Sequence, residues 1–282
     1  MRDRSLYIKV GRVNTMVYRN DSFKKSDALA GYTYTDNFVL KSSKENYKVY
    51  INFYKRGNGP IHCDNNDFLH EDEKKYFKTL VYERRINSYL LGRYSAKKAV
   101  SAFIEEDNLK KILIKNGVFN QPVVVCEPYS NIQVSLTHCE DLAAAAAFND
   151  LLMIGIDIEK IQQSLHRGVE AELTQYEKEL LHQVPCSYES FLLLIWTIKE
   201  SLSKALKTGL TVSLSVLEVQ SIEVNDGYYL STFTHFDQYH TISFIVKDYA
   251  FSMTYPKNVE IDIDIYRIKQ KVEKIISHSL VD

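Results

Sequence analysis

The chain has 282 residues, of which 45% are hydrophobic and 25% are charged, and its formal net charge is −1. This length and apolar content suffice for one large core or two of ordinary size, which excludes a chain that is disordered as a whole. The balanced charge argues against a general nucleic-acid binder, because such proteins usually carry a basic excess.

The compartment expected from the sequence is the cytoplasm. The N-terminal segment has no apolar core of signal-peptide length. The longest apolar runs are far shorter than the roughly 20 residues of a membrane span, so we expect no contact with a membrane. The cysteines have no close pair and no zinc-like spacing, which is typical of reduced thiols; they are Cys63, Cys126, Cys139 and Cys186.

The first part of the chain predicts strands followed by helices. Within its aromatic-rich N-terminal region, three segments have strand character, at 6–10, 15–18 and 47–53. A helical region begins near Asp67, where acidic residues suit a helix start, and continues as two helices to about Ile104.

The middle of the chain predicts a hairpin and two strands. Asn116-Gly117 separates two apolar segments within 111–125, which is a hairpin signal. A strand follows at 132–138. Five consecutive alanines then lie within 142–148. Alanine favours a helix, but the position between two strand-like segments predicts a strand of small residues.

The second part of the chain again predicts helices followed by strands. A short apolar strand ends at Glu159, and a helix over 170–183 is ended by Pro185. A second helix runs from a Ser187 cap to Lys207, with Gly209 as its stop. Further strands are expected at 216–222, 228–233, 240–246 and 249–255, and a charged amphipathic helix at 265–278.

This order of elements predicts an α+β fold of two halves. The N-terminal half is expected at 1–149 and the C-terminal half at 150–256, followed by a helical tail at 257–282. Two halves in one chain already act as a pair, so a monomer is the expected state.

Four side chains in the second half have the spacing of a metal site that handles phosphate. Asp157 and Glu159 lie two apart on a strand and therefore point to the same face. Glu200 and Lys204 lie four apart on a helix and also share a face. Three converging carboxylates beside a cation suit a hard divalent metal that holds a phosphate group.

Each of these features also has an ordinary interpretation. Acidic residues at the end of an apolar strand are usually its solvated end, and an acid with a lysine four residues on is a common surface pair. Lys204 and Lys207, near a helix C-terminus, also complement the helix dipole. The helix around Arg93 and Lys97 points its cations either into solvent or at a phosphate.

The combination is more specific than its parts. The segments Thr137-His138-Cys139, Gly155-Ile156-Asp157-Ile158-Glu159 and Trp196-Thr197-Ile198-Lys199-Glu200-Ser201, with Lys204, resemble the signature of the 4'-phosphopantetheinyl transferases. They resemble the large two-half, surfactin-synthetase-activating branch in particular, over roughly residues 89–210. The resemblance implies an α+β pseudo-dimer of two similar halves, each an antiparallel sheet packed with helices. The active site would lie at their junction.

The resemblance implies transfer of the 4'-phosphopantetheine group of coenzyme A to a serine of an apo acyl, peptidyl or aryl carrier protein. The reaction releases 3',5'-adenosine bisphosphate and depends on magnesium, or on manganese in its place. Two alternatives stay open: another metal-dependent phosphotransfer enzyme that uses the same carboxylates, and a non-catalytic scaffold that binds a carrier protein.

The resemblance also assigns the metal and the proton transfer to particular residues. Asp157, Glu159 and Glu200 would hold the metal. Glu200 would act as the base on the incoming serine, directly or through a metal-bound water. Lys204 is the alternative base and otherwise a cation for the coenzyme A phosphates.

Other residues would bind phosphate or the carrier protein. His138 and Thr137 would contact the pyrophosphate; Arg93, Lys97 and Lys199 are further phosphate-binding candidates. Many relatives have a Gly-Lys-Pro segment, but residues 117–122 lack that lysine, and whether Lys115 substitutes is open. The side chains offered for carrier contact, which could equally pack against their own core, are Leu165, Leu173, Tyr176 and Leu180.

Overall fold

The structure is a computed structural model that describes residues 22–26, 31–57, 66–161 and 166–278. Six antiparallel strands form its first sheet: β1 (Ser22–Ser26), β2 (Gly31–Lys41), β3 (Asn46–Arg56), β6 (Ile132–Cys139), β7 (Leu142–Asn149) and β13 (Glu260–Asp262). Their order is β1-β2-β3-β7-β6, and β13 pairs with β2 on the edge that β1 also uses. Between β3 and β6 come α1 (Glu71–Phe77), α2 (Glu83–Ile104) and the hairpin of β4 (Leu113–Asn116) and β5 (Pro122–Val125).

Five antiparallel strands form the second sheet, in the order β8-β12-β11-β10-β9. They are β8 (Gly155–Lys160), β9 (Val219–Asn225), β10 (Tyr228–Phe233), β11 (Tyr239–Val246) and β12 (Tyr249–Pro256). The helices α3 (His166–Glu172), α4 (Gln175–Leu180) and α5 (Tyr188–Ala205) lie between β8 and β9, and α6 (Ile265–His278) follows β13. The predicted α+β class with antiparallel sheets is confirmed.

The order of elements repeats along the chain. A strand, helices and four strands occur as β3, α1, α2 and β4 to β7, and then as β8, α3 to α5 and β9 to β12. The repeat supports two similar halves, although their boundary near residue 149 stays a prediction.

One buried ion pair occurs in the same place in each half. In the first half, Glu73 of α1 lies 2.5 Å from the ammonium of Lys97 on α2, and its other oxygen accepts a 3.0 Å bond from the Ile114 amide of β4. Glu73 also closes a capping box at the start of α1. Because both charges are buried, each must be fully paired, so the cluster fixes the two helices against the hairpin.

The second half uses the same arrangement. Glu177 of α4 closes a capping box, lies 2.7 Å from Lys199 of α5, and accepts a 2.9 Å bond from the Val219 amide of β9. Lys199 also donates to the Glu172 carbonyl, five residues before Glu177. Lys97 donates to the Phe68 carbonyl, five residues before Glu73, in the same way.

The alanine run forms β7, and its residues are fully buried on both faces. Ala145 and Ala147 face α2, while Ala144 and Ala146 belong to the core that the two sheets share. In that core Phe53 of β3 and Phe251 of β12 lie with their ring centroids 5.4 Å apart. Small side chains on β7 therefore allow close packing from both sides.

Several predicted boundaries need correction. The strands at 6–10 and 15–18 lie outside the described residues. The pattern does not predict β2, whose polar centre at Asp36 and Asn37 hides its alternation. The helix expected over 170–183 is divided, because Thr174 caps α4 and so ends the preceding segment. Helix α5 ends at Ala205, and Lys207 occupies the position after its cap, whereas Gly209, which also has a positive φ, lies two residues further on.

The tail connects back to the first sheet. After β12, β13 pairs with β2, and α6 packs into the shared core. Arg267 of α6 donates to both oxygens of Asp36 on β2, at 3.0 and 2.8 Å, and the Tyr34 hydroxyl donates to the same carboxylate. Within the described ranges, no helix combines the length and the hydropathy that a membrane crossing requires.

We expect Arg267→Ala to lower the free energy of unfolding by about 2 kcal/mol, because it removes the charged partner of the buried Asp36 carboxylate. Urea denaturation followed by circular dichroism measures the difference. Lys75→Ala is the matched control: its pair with Asp72 is exposed, so its loss should leave the free energy of unfolding nearly unchanged. Equal losses in the two variants would contradict a tethering role for α6.

Candidate active site

The two sheets meet where an edge strand of each lies beside the other. β6 ends the first sheet and β8 begins the second. The Ile156 amide of β8 donates to the Ser135 hydroxyl of β6 at 3.0 Å, and the Ile158 amide donates to the Thr137 hydroxyl at 3.3 Å. Side-chain hydroxyls therefore satisfy the open edge of β8 in place of a backbone ladder.

Asp157 lies at this seam and is 2% exposed. Its Oδ1 accepts a 2.8 Å hydrogen bond from the Thr137 hydroxyl and lies 2.6 Å from the ammonium of Lys204. Its Oδ2 is buried and has no hydrogen-bond partner in the part of the chain that the structure describes. A buried carboxylate oxygen without a donor is costly, so this atom is suited to a further positive group.

Helix α5 reaches Asp157 because it packs directly on β8 at Gly155. A Cβ at Gly155 would lie 1.9 Å from the Ser201 carbonyl oxygen and 2.4 Å from the Ala205 amide. On the next strand, Ser252 and Thr254 of β12 hydrogen-bond Thr197 and Ser201 of α5 at 2.8 and 2.7 Å. The helix is thereby fixed with Glu200 and Lys204 beside β8.

Glu159 of β8 and Glu200 of α5 are half-buried. Burial raises the pKa of Glu159 to about 7, with a further contribution from the negative charge of Asp157. Burial and then Asp157 likewise raise the pKa of Glu200 to about 7. The Cys139 thiol hydrogen-bonds Glu159, and burial raises the pKa of that thiol, so Cys139 is a neutral donor.

A divalent cation fits the chemistry of these donors. It would satisfy Asp157 Oδ2, and its charge would favour the ionised forms of Glu159 and Glu200. Among the described residues, however, no three His, Cys, Asp or Glu side chains stand close enough to form a ready ligand set. Lys204 lies against Asp157 instead. The convergence of all three carboxylates at one ion therefore stays a prediction.

Two adjoining clefts open beside the seam. The larger, about 450 Å³, is lined by His138, Arg93 and Arg85, and we call it the histidine cleft. The smaller, about 230 Å³, is lined by Arg93, Lys204 and Lys207, and we call it the lysine cleft. The clefts share Arg93, and no Asp or Glu of the described chain lines either of them. This charge distribution suits an anionic ligand.

His138 and Arg93 lie on opposite elements of the histidine cleft. Gly92 of α2 packs against β6 beside the His138 ring, at a distance where a Cβ would make an ordinary contact of 3.7 Å. Burial, and then the charge of Lys204, lowers the pKa of His138, so the imidazole is neutral at pH 7. Arg93 donates to Asn116 at 2.8 Å and stacks over the Tyr89 ring at 4.8 Å.

Three predicted phosphate contacts need correction. Lys97 is fully buried and binds Glu73, and Lys199 is 1% exposed and binds Glu177, so neither ammonium reaches a cleft. The Thr137 hydroxyl is committed to Asp157 and to the β8 backbone, and it therefore orients the acid. The spacing of lysines in the sequence did not predict which of them is buried, because a buried lysine and one that lines a cleft can lie on the same helix, as Lys199 and Lys204 do.

The residues predicted to contact the carrier protein differ in their exposure to solvent. Leu173 and Leu180 are buried in the core beneath α4 and α5, which corrects their assignment to a contact surface. Tyr176 is 46% exposed, and its hydroxyl donates to the Gln220 carbonyl. Leu165 lies outside the described residues. The sequence predicted for Lys207 only that its charge complements the helix dipole. No local signal in the sequence places this lysine in the lining of a cleft.

We expect Gly155→Ala to cost more than about 3 kcal/mol of stability, because the new methyl group overlaps the α5 backbone and forces the helix from β8. Gly168→Ala is the control: a Cβ there meets nothing within 4 Å, and the change favours a helix. Urea denaturation of both variants measures the difference. A Gly155→Ala protein as stable as the unaltered chain would contradict the direct helix–strand contact.

The raised pKa of Glu159 and Glu200 predicts a pH-dependent stability. Between their usual pKa near 4.5 and the folded value of about 7, the folded state holds more protons than the unfolded state. Without divalent cations, stability should therefore be greatest near pH 4.5 and fall as the pH rises to 7. The expected loss is on the order of 3 kcal/mol for the two groups, after a discount for partial exposure.

Urea denaturation at pH 5 and pH 8 measures this loss in the presence of a chelator. The double variant Glu159→Gln, Glu200→Gln should lose much less between these two pH values, because neither amide ionises. If the unaltered chain and the double variant respond alike, the acids are not the source of the effect.

Comparison with known protein families finds a match, and it covers most of the elements that form this site. The model of the 4'-phosphopantetheinyl transferase superfamily matches residues 153–254, which run from just before β8 into β12. The match includes Asp157, Glu159, Glu200 and Lys204, whereas Thr137 and His138 lie before it. No curated protein matches the chain. The strand, helix and sheet that hold the buried acid are therefore similar to the 4'-phosphopantetheinyl transferase superfamily.

Proposed function

We propose that this protein transfers the 4'-phosphopantetheine group of coenzyme A to a serine of an apo acyl, peptidyl or aryl carrier protein, in a magnesium-dependent reaction. The observation that carries the proposal is the buried Asp157 carboxylate, which has one unpartnered oxygen and lies beside two acid-free clefts. It belongs to the segment that matches the transferase superfamily. The order of elements that repeats along the chain supports membership of the large two-half branch of this superfamily.

The clefts would receive the phosphates of coenzyme A. Arg93 lies between the two clefts, and His138 and Lys204 lie one on each side of it. A neutral His138 would donate a hydrogen bond to the pyrophosphate, while Arg93 and Lys204 would supply positive charge. The serine oxygen would form a bond to the phosphorus of the pantetheine arm, and the bond from that phosphorus to the bridging oxygen of the diphosphate would break. The bridging oxygen would leave with 3',5'-adenosine bisphosphate, so donors on both sides of the bridge stabilise its developing charge.

Asp157, Glu159 and Glu200 would hold the magnesium ion, or manganese in its place. A bound divalent ion would supply charge neutralisation at the pyrophosphate. Thr137 and β8 fix Asp157 for this role. Lys204 would exchange its contact with Asp157 for one with a phosphate oxygen, since its side chain is 28% exposed and lines the lysine cleft.

Glu200 is the proposed base on the carrier serine. Without a cation its pKa is about 7, and a divalent ion beside it would lower that pKa and keep the carboxylate ionised, which is the form that accepts a proton. Glu200 is half-buried and lies on a helix that the hydroxyl contacts with β12 hold in place. Lys204 is the alternative base, although its contact with Asp157 favours the role of a cation.

The carrier protein would approach the same side of α5. Carrier proteins expose a serine at the end of an acidic helical bundle, and this chain offers Tyr176 and the exposed residues of α3 and α4, the helices between β8 and α5. With Leu173 and Leu180 buried, we propose that polar contacts contribute more to this surface than an apolar stripe does. Monomeric and cytoplasmic states are part of the same proposal.

The direct test is transfer of label from coenzyme A to an apo carrier protein with magnesium present. The label must be in the pantetheine arm, and mass spectrometry should locate the adduct on a serine. Asp157→Asn and Glu200→Gln should each lower the rate on the order of 100-fold, because they remove ligand or base charge. Glu223→Gln, on β9 at the far edge of the second sheet, is the control and should retain full activity.

Binding measurements separate the alternatives. Under this proposal coenzyme A with magnesium raises the melting temperature, and magnesium alone raises it more at pH 8 than at pH 5 because the ligands are then ionised. Magnesium binding without any response to coenzyme A would favour a different phosphotransfer enzyme. Carrier binding without transfer, in the presence of coenzyme A and magnesium, would favour a scaffold.

A further inference from the structure

Just beyond the C-terminus of α5, the chain has a lysine in a backbone conformation that usually requires glycine. Lys207 has φ +58°, in the left-handed region that L side chains rarely adopt. It occupies the position after the helix cap: its amide donates to the Lys204 carbonyl, and the Thr208 amide donates to the Ser203 carbonyl, both at 3.1 Å. These bonds form the helix ending in which glycine is most common. A lysine here has a backbone cost without a backbone benefit.

Lys207 supplies a positive charge that a glycine at this position would lack. It lines the lysine cleft together with Lys204 and Arg93. Lys204 pairs with Asp157, and Arg93 donates to Asn116 and lies 3.7 Å from Glu73. No acidic partner faces Lys207 in the part of the chain that the structure describes. It is therefore the cation of the lysine cleft whose charge is uncompensated.

An anion that binds at the C-terminus of α5 needs a nearby cation. The last carbonyl groups of α5 give its C-terminus a partial negative charge, which repels a phosphate. Lys204 lies in the last turn of α5 and Lys207 just beyond its cap, and both residues line the lysine cleft. The lysine cleft therefore has two lysines in its lining, and a diphosphate group carries two charged phosphates.

We propose that Lys207 is a second cation for the diphosphate group of the substrate, acting beside Lys204. The proposal rests on the proposed function in that it takes coenzyme A as the ligand. It assigns to Lys207 a binding role that adds to the lysine of the motif. In this chain, which lacks the lysine of the Gly-Lys-Pro segment, Lys207 also restores one positive charge to the clefts.

The test compares two lysines that share the same unusual backbone. Lys247, in the turn between β11 and β12, has φ +52° and does not line either cleft. Lys207→Gly and Lys247→Gly remove the same charge and relieve the same backbone conformation. Isothermal titration calorimetry of each full-length variant, with coenzyme A and magnesium, gives the dissociation constants.

We expect Lys207→Gly to weaken coenzyme A binding about fivefold, and Lys247→Gly to change it less than twofold. Raising the salt concentration should weaken binding less in Lys207→Gly than in the unaltered chain, because one charge contact is missing. The melting temperature of both variants should stay the same or rise, since glycine suits both positions. Weaker binding in a protein that is at least as stable excludes a folding defect.

One further ligand identifies the group that Lys207 contacts. Dephospho-coenzyme A keeps the diphosphate and lacks the ribose 3'-phosphate, so the fivefold effect should persist with it. If the effect is confined to coenzyme A, Lys207 contacts the 3'-phosphate and the diphosphate assignment is overturned. Equal affinity of Lys207→Gly and the unaltered chain for both ligands would also overturn it.

Inorganic pyrophosphate separates this inference from the proposed function. If the unaltered chain binds coenzyme A and Lys207→Gly binds it equally well, the inference fails and the function stands. If pyrophosphate binds in a manner that depends on Lys207 while coenzyme A does not bind, the diphosphate site stands and the proposed function fails. If neither ligand binds the unaltered chain, both are wrong.

Discussion

The burial of one carboxylate at the seam between two sheets constrains the rest of the site. Asp157 is held between an edge strand of each sheet, and the Thr137 hydroxyl and the Lys204 ammonium both reach the same oxygen. A buried charge is tolerated only when its partners are in place. The junction of β6 and β8 and the packing of α5 on β8 therefore have to form together with the site.

Hydroxyl groups make this junction without extending either sheet. Ser135 and Thr137 accept the β8 amides, and Thr197 and Ser201 bond with hydroxyls of β12. Each contact is directional, which fixes the register of the strands and the rotation of the helix. Gly155 completes the arrangement because only a residue without a Cβ lets the helix backbone come so close.

The repeated Glu–Lys pairs explain why some of the predicted phosphate-binding cations are buried while others line the clefts. Glu73 with Lys97 and Glu177 with Lys199 occupy equivalent places in the two halves, each at the start of a short helix. Their lysines stabilise the helix–hairpin or helix–sheet contact of each half. The cations left for the clefts come from helix positions that face the seam, such as Arg93 and Lys204.

The sequence by itself determined the elements and the acidic motif. Periodicity, caps and turn residues identified α1, α2, α5 and most strands of the second half, because these signals act over a few residues. Alternation placed Asp157 and Glu159 on one face, and their order relative to Glu200 and Lys204 predicted the family that the match over 153–254 supports. The strand character of the alanine run followed from its neighbours, since its own propensity favours a helix.

Only the tertiary structure decided which polar groups face the cleft. Lys97, Lys199 and Lys204 lie on similar helices, and their different roles depend on Glu73, Glu177 and Asp157, which are distant in the chain. The unpartnered oxygen of Asp157, the commitment of Thr137 and the place of Lys207 likewise depend on long-range packing. Local sequence encodes periodicity and caps, whereas burial and charge pairing arise from contacts between segments that only the fold brings together.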